Sequence, residues 1–337
     1  MDSPSHHPYE LNTLVNEATN ALIRLDERIA NLGAMTTPIA NALAALEAAR
    51  SAALDHVHYA AHPIASALLT NDATRHPVAR LTSALIAAHD PDRTRDPITA
   101  LTQVNTIAAG SPVHAGRLRL HPADPHSVLP TAPHSTEISD QLTALGDCVT
   151  GHLRAHPIGT IAWAHTRAHA LVPYAHASEQ TARAWTTYLL DRASVTFTIP
   201  APLATGLTAD THHQLLIAYA NTDHETLTEI TAQALLQGTV TAANFADALL
   251  AEAAAMRETL THARMRSNSL TWAAADNLIA HPVTHSAHIG ALLDSDRFGG
   301  HATIAKLAAL GILEPDARDT HHAPRILTLW NTAMTSP

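Results

Sequence analysis

Leucine, isoleucine and alanine return every three or four residues along most of this 337-residue chain, the spacing that gathers apolar side chains on one face of a helix. Hydrophobic residues make up 46% of the chain, yet aromatic ones only 4%. A core with so few large rings fills by bringing helices close together, and the expected class is all-α. Leu11, Leu14, Val15, Ala18, Leu22, Leu25 and Ile29 mark a first helix stopped at Gly33, and Ile39, Leu43, Leu46 and Leu54 a second. Further helices are predicted over 78–88, 97–109, 136–155, 158–171 and 178–193, and a long antiparallel helix pair over 209–266.

A formal charge of −10 argues against a general nucleic-acid coat. The single cysteine, Cys148, cannot form an internal disulfide, which suits a reducing cytoplasm. No apolar run is long enough to span a bilayer, and the N-terminus lacks the basic and hydrophobic regions of a signal peptide; the expectation is a cytoplasmic protein with no membrane partner. There are 26 histidines, with pairs at His6-His7, His212-His213 and His321-His322. They are scattered, no cysteine accompanies them and no His-Glu-x-x-His occurs, so no dedicated metal site is expected.

Function is read most directly from 164–190, where an apolar helix enters a turn containing Pro173 and a second helix leaves behind Ser178, with Glu179 in its first turn. Such a loop aims helix N-terminal N–H groups at a pocket, and phosphates often sit there. The segment resembles the active-site loop of the Fic-domain family, AMP transferases whose motif is His-Pro-Phe-x-(Asp/Glu)-Gly-Asn-Gly-Arg-x-x-Arg. Over 172–183 Pro173 matches, Tyr174 takes the aromatic place and Arg183 falls on the last arginine. His165, seven residues before the motif start, stands where the family often has a histidine.

The catalytic letters are missing. The resemblance implies a proton-accepting histidine where Val172 stands, and valine accepts no proton. His176 replaces the carboxylate that holds Mg²⁺, a cation that prefers oxygen. Ala177, Ser178, Glu179 and Gln180 replace the phosphate-wrapping run, so a negative charge stands at the phosphate position and an arginine clamp is lost. No catalytic residue and no cofactor are therefore expected. The alternative is an active protein adenylyltransferase using His176 or His169 as the base, and then requiring ATP and Mg²⁺.

Other landmarks of the family follow in order. Ser51-Ala52-Ala53-Leu54-Asp55-His56 is similar to its inhibitory helix, with a shortened acid, which implies an ion pair between Asp55 and Arg183. Gly116-Arg117-Leu118-Arg119 and Pro130-Thr131-Ala132-Pro133 resemble the ends of the flap, a β-hairpin that holds a target segment as an added strand; Leu118, Leu120 and Val128 would present that edge to a protein partner. Beyond 267 three helices and a returning strand over 325–328 are similar to a winged helix. That implies DNA contact through Arg297, His301, Thr303, Lys306, Arg318 and Arg325, or a homodimer contact, and so few cations would bind DNA weakly. The expected organisation is an N-terminal helical region over 1–70, a Fic-like core over 71–266 and a winged-helix-like domain over 267–337. The expected function is a catalytically degenerate Fic-fold protein that acts by binding DNA or another protein.

Overall fold

The computed structural model describes residues 8–69, 76–89, 96–111, 113–123, 128–267, 269–316 and 319–335; Pro8, Tyr9 and Arg297 are described for their backbone only. In chain order the helices are α1 (Pro8–Ala30), α2 (Thr36–Leu54), α3 (Ala61–Leu69), α4 (Pro77–Ala88), α5 (Pro97–Ala108), α6 (Ile138–His152), α7 (Pro157–Leu171) and α8 (Ser178–Arg192). There follow a single turn α9 (Leu203–Gly206), then α10 (Ala209–Ala220) and α11 (His224–His262). The C-terminal part runs α12 (Leu270–Asn277), β1 (Val283–His285), α13 (Ser286–Leu292), α14 (Arg297–Ala309), β2 (Glu314–Pro315), β3 (Thr320–His322) and α15 (Pro324–Thr335). Among the described residues no single helix is long and apolar enough to cross a membrane.

Helix α8 is sheathed by α4, α5 and α7, and nearly all its residues are buried, including Trp185, Tyr188 and Leu189. Helix α2 lies beneath and buries six alanines, which lets α4 and α9 approach closely. The core is therefore built by helix contact rather than by aromatic bulk, as the composition implies.

Helix α11 corrects the expected antiparallel pair. It is continuous over 39 residues, and the chain turns instead at 221–223, where Asp223 accepts the Thr226 N–H and caps α11. Gly238 looks like a stop because glycine weakens a helix by roughly 1 kcal/mol. Its role is close approach: a Cβ there would lie 1.9 Å from the Pro202 carbonyl oxygen, and one on Gly206 would lie 1.8 Å from that of Ala234. Packing of α9 on α11 through these two glycines replaces what propensity loses.

Residues 325–328, expected as a returning strand, lie in α15. Pro324 suits the first turn of a helix, and Ile326, Trp330 and Met334 recur at four-residue spacing into the core. The strand before it is β3, at the middle of an antiparallel sheet ordered β1-β3-β2, with Val283 opposite His322 and Glu314 opposite His322 on the other side. Of the expected DNA-contacting residues, Thr303 is buried and faces the core, so it cannot reach a base. Arg325 rides on α15 and pairs with Glu252 of α11 at 2.8 Å. His301 and Lys306 are exposed on α14. The side chain of Arg297, and Arg318, lie outside the described residues.

Candidate functional site

The loop between α7 and α8 is fixed at both ends by left-handed backbone, at Val172 (φ 41°) and Ala177 (φ 56°). That conformation is unfavourable for a β-branched residue and persists only where the surroundings impose it. They do so through three anchors. The Ser178 hydroxyl donates to the Tyr174 carbonyl and accepts the Tyr174 N–H, both at 2.9 Å, closing the turn on itself. Tyr174 is buried with its hydroxyl 3.0 Å from Thr102 Oγ1, and burial pushes the phenol up to about 12. Asn105 of α5, fully buried, donates to the His176 carbonyl at 2.9 Å and to Thr181 Oγ1 at 3.0 Å, and accepts the Gly116 N–H at 3.1 Å.

The last of those bonds ties in the expected flap. Among the described residues this segment forms no hairpin with itself; it pairs with the loop. The Arg119 N–H donates to the Pro173 carbonyl at 3.0 Å and the Ala175 N–H to the Arg117 carbonyl at 3.2 Å, a bridge that sets Leu118 opposite Tyr174. The Arg119 guanidinium completes the attachment by donating to the carbonyls of Val172 (2.8 Å), His121 (3.0 Å) and Pro133. Arg119 lines the cavity between flap and loop, yet its guanidinium is bonded to three carbonyl oxygens. Residues 124–127 of the expected flap lie outside the described residues, and Val128 is half-buried.

Between flap and loop lies a cavity of about 610 Å³, lined among others by His114, Leu120, His169, Val172, His176 and Glu179. Glu179 stands in the first turn of α8, where the helix dipole favours an anion, with its carboxylate 3.8 Å from His169 Nε2. The N-terminus of α8 thus has a negative charge of the chain's own beside it. His176 is exposed and its ring lies against that of His114, 4.0 Å between centroids. Val172 lines the cavity, and Gln180 points away to Asp55. The described residues do not fit a magnesium–triphosphate: among them no carboxylate stands at the metal position and no arginine faces the cavity with an unused charge.

Arg183, one turn into α8, is buried on the opposite side, against α2. Its Nε donates to Ser51 Oγ at 2.6 Å, and its Nη2 to the Ser51 carbonyl at 3.1 Å and to both Asp55 carboxylate oxygens at 2.8 and 2.7 Å. Gln180 Nε2 donates to the same carboxylate at 2.8 Å. The structure therefore brings Asp55 and Arg183 together, and recruits Ser51 and Gln180 to them.

Two further buried groups lie nearby: Glu47, which sequence reasoning missed, and His165, which the resemblance had marked. Glu47 of α2 accepts the Ala204 and Thr205 N–H groups at 2.7 and 2.9 Å and the Thr205 hydroxyl at 2.7 Å, serving the open end of α9. Burial nevertheless raises its carboxyl to about 7, against those hydrogen bonds and the Arg183 charge, which lower it. His165 is fully buried, neither ring nitrogen has a hydrogen-bond partner among the described residues, and burial, then His212 and Arg183, push it down to about 3. It is neutral at any ordinary pH.

No protein-family model matches the sequence, and no curated protein matches it by sequence. Solved structures do resemble it. A Fic family protein from Desulfovibrio desulfuricans G20 aligns over 96% of this chain and 98% of that one, with a TM-score of 0.53 at 14% identity. Two structures of Fic-1 from C. elegans align over 69% and 70% of this chain and 73% and 74% of theirs, at TM-scores of 0.48 and 0.49 and identities of 16% and 15%. At such identity the likeness is one of architecture: along nearly its whole length, this chain folds as a Fic family protein does.

Proposed function

We propose that this Fic-fold protein does not transfer AMP and acts by binding an extended protein segment at the flap edge of its cavity. The observation that carries the reading is the occupied state of the motif loop. Its proton-accepting position is an aliphatic side chain in a strained turn, its anion position is filled by Glu179, and its surviving arginine is bonded to Asp55 and Ser51. The flap remains available. One edge of 117–119 pairs with the loop, while the N–H and carbonyl of Leu118 make no backbone hydrogen bond among the described residues, and Leu120 is 81% exposed. An unpaired edge flanked by apolar side chains is what a partner strand adds to.

Two measurements test this. With labelled ATP, Mg²⁺ and cell lysate, neither the native protein nor Asp55→Ala, which frees Arg183, should label any protein; labelling by either restores the adenylyltransferase alternative. Peptides selected from a displayed library on the native protein should lose binding in Leu120→Asp and Leu118→Pro, the second because proline removes the N–H the added strand needs. Binding that survives both variants sinks the flap reading.

A second reading, a DNA-binding regulator, is favoured by one observation. The C-terminal elements run helix, strand, helix, helix, strand, strand, with His301 and Lys306 exposed on α14, the order a winged helix would need. A mobility shift with promoter DNA that fades with salt and is weakened by Lys306→Ala would support it; no shift at low salt would end it.

A further inference from the structure

Away from the cavity, three side chains from distant parts of the chain converge where the small sheet meets α3. His62 Nε2 of α3 lies 2.7 Å from Asp316 Oδ2, just past β2, and the ring of His62 meets that of His322 of β3 edge to face at 5.9 Å between centroids. One ligand atom from each of His62, Asp316 and His322 falls within 4.8 Å of the others. Glu314 stands directly opposite His322 across the β2–β3 pair, so the two side chains share a face, and its Oε2 is 3.8 Å from His322 Nε2. On the far side Ser66 Oγ lies 3.4 Å from His62 Nδ1, where it can orient the ring. All three primary residues are half-buried, open enough for an ion to enter.

We propose that His62, Asp316 and His322 form a binding site for a d-block divalent cation of the Zn²⁺ class, with Glu314 as the fourth ligand. Two imidazoles and carboxylate oxygens are the donor set of a borderline metal, and they are wrong for Mg²⁺ or Ca²⁺, which take oxygen ligands almost exclusively. A tetrahedral ion with bonds of about 2.0–2.1 Å separates its ligand atoms by roughly 3.3 Å, so His62 and Asp316 move apart slightly as the ion enters. A Ser hydroxyl behind a ligating histidine is the kind of outer partner that fixes the ring and its tautomer. An occupied site would fasten the β2–β3 pair to α3.

The test uses the full chain stripped with a chelator and titrated with Co²⁺, whose visible d–d absorption reports tetrahedral coordination, followed by displacement with Zn²⁺. With many histidines in the chain, weak sites elsewhere are separated by variants. The expected result is one saturable equivalent with a tetrahedral spectrum, abolished separately in His322→Ala and Asp316→Asn. Those losses should exceed the roughly 10–100-fold typical of changing an outer partner, the effect expected for Ser66→Ala. His152→Ala and His213→Ala, exposed elsewhere, should leave the spectrum unchanged. Zn²⁺ should also raise the unfolding temperature of the native chain and not of His322→Ala, since an ion bound only by the folded state stabilises it. Absence of the tetrahedral spectrum in the native protein, or its persistence in both His322→Ala and Asp316→Asn, overturns the proposal.

Discussion

The two sides of α8 answer to different constraints. On the side facing α2, Arg183 is surrounded by Ser51, Asp55 and Gln180, all hydrogen-bonded at 2.6–3.1 Å and largely sealed from water. On the end facing the cavity, Val172, His176 and Glu179 line an open space of about 610 Å³, and the His176 ring is exposed. A charge in the interior costs several kcal/mol once its partner is lost, whereas a group at a cavity mouth can change with little effect on folding. The three motif positions that match, Pro173, Tyr174 and Arg183, are all buried.

The largest effect expected of that contrast is for Arg183→Met, which leaves the Asp55 carboxylate without its countercharge, with Gln180 as its one remaining side-chain donor among the described residues. Urea unfolding should show a loss of about 3–5 kcal/mol. A loss under about 1 kcal/mol would mean the buried side is no more constrained than the mouth.

Next in size is a pH effect at Glu47. Its folded pKa of about 7 lies above the ordinary value of 4.5, so between those values the native state holds more protons than the unfolded chain, and stability falls as pH rises through that window. His165 works the other way. Lowered from 6.5 to about 3, it adds stability as pH climbs between those values, because only the unfolded chain takes up the proton. Glu47→Gln should therefore remove a decline of about 3 kcal/mol and leave stability rising with pH up to about 6.5, measured by thermal or urea unfolding across pH 4–8. An unaltered profile would show that the Glu47 carboxyl does not titrate in this window.

Arg119→Ala should cost about 1–3 kcal/mol, the range for carbonyls left without a charged donor, and it should do so locally. Hydrogen exchange ought to accelerate over 113–123 and 172–177 while α11 stays protected; uniform acceleration would contradict a flap held chiefly by this side chain. Smallest of all, Glu179→Gln should stay within about 0.5 kcal/mol of the native protein. A larger loss would place Glu179 with the structural group and blur the distinction between the two sides.

What periodicity announces in this chain is the helical class and most helix positions, since Leu22, Leu25 and Ile29 or Ile158, Ile161 and Leu171 point one way only when the chain is coiled. Family likeness added the meeting of Asp55 with Arg183 across 128 residues, which no local pattern encodes. Three things stayed hidden for physical reasons. Gly238 looks like a break because its service, the absence of a Cβ at a helix crossing, depends on a neighbour distant in sequence. Asn105 looks like an ordinary surface residue and Arg119, placed in the flap by the resemblance, gives no sign of its anchoring role, because backbone carbonyls from elsewhere carry no sequence mark. The metal candidate joins α3 to β3 over a separation that makes His62 and His322 two histidines among 26.

The unbroken course of α11 has a mechanical corollary. At 1.5 Å per residue its 39 residues make a rod about 58 Å long, touching α1, α7 and α9 along its course and α12 and α15 besides. Tilting a beam of that length by a single degree displaces its far tip by about 1 Å, the order of shift seen when packed helices slide at interfaces. A tilt imposed where α12 and α15 pack on α11 would thus be carried along the same shaft to the α9 turn that Glu47 secures.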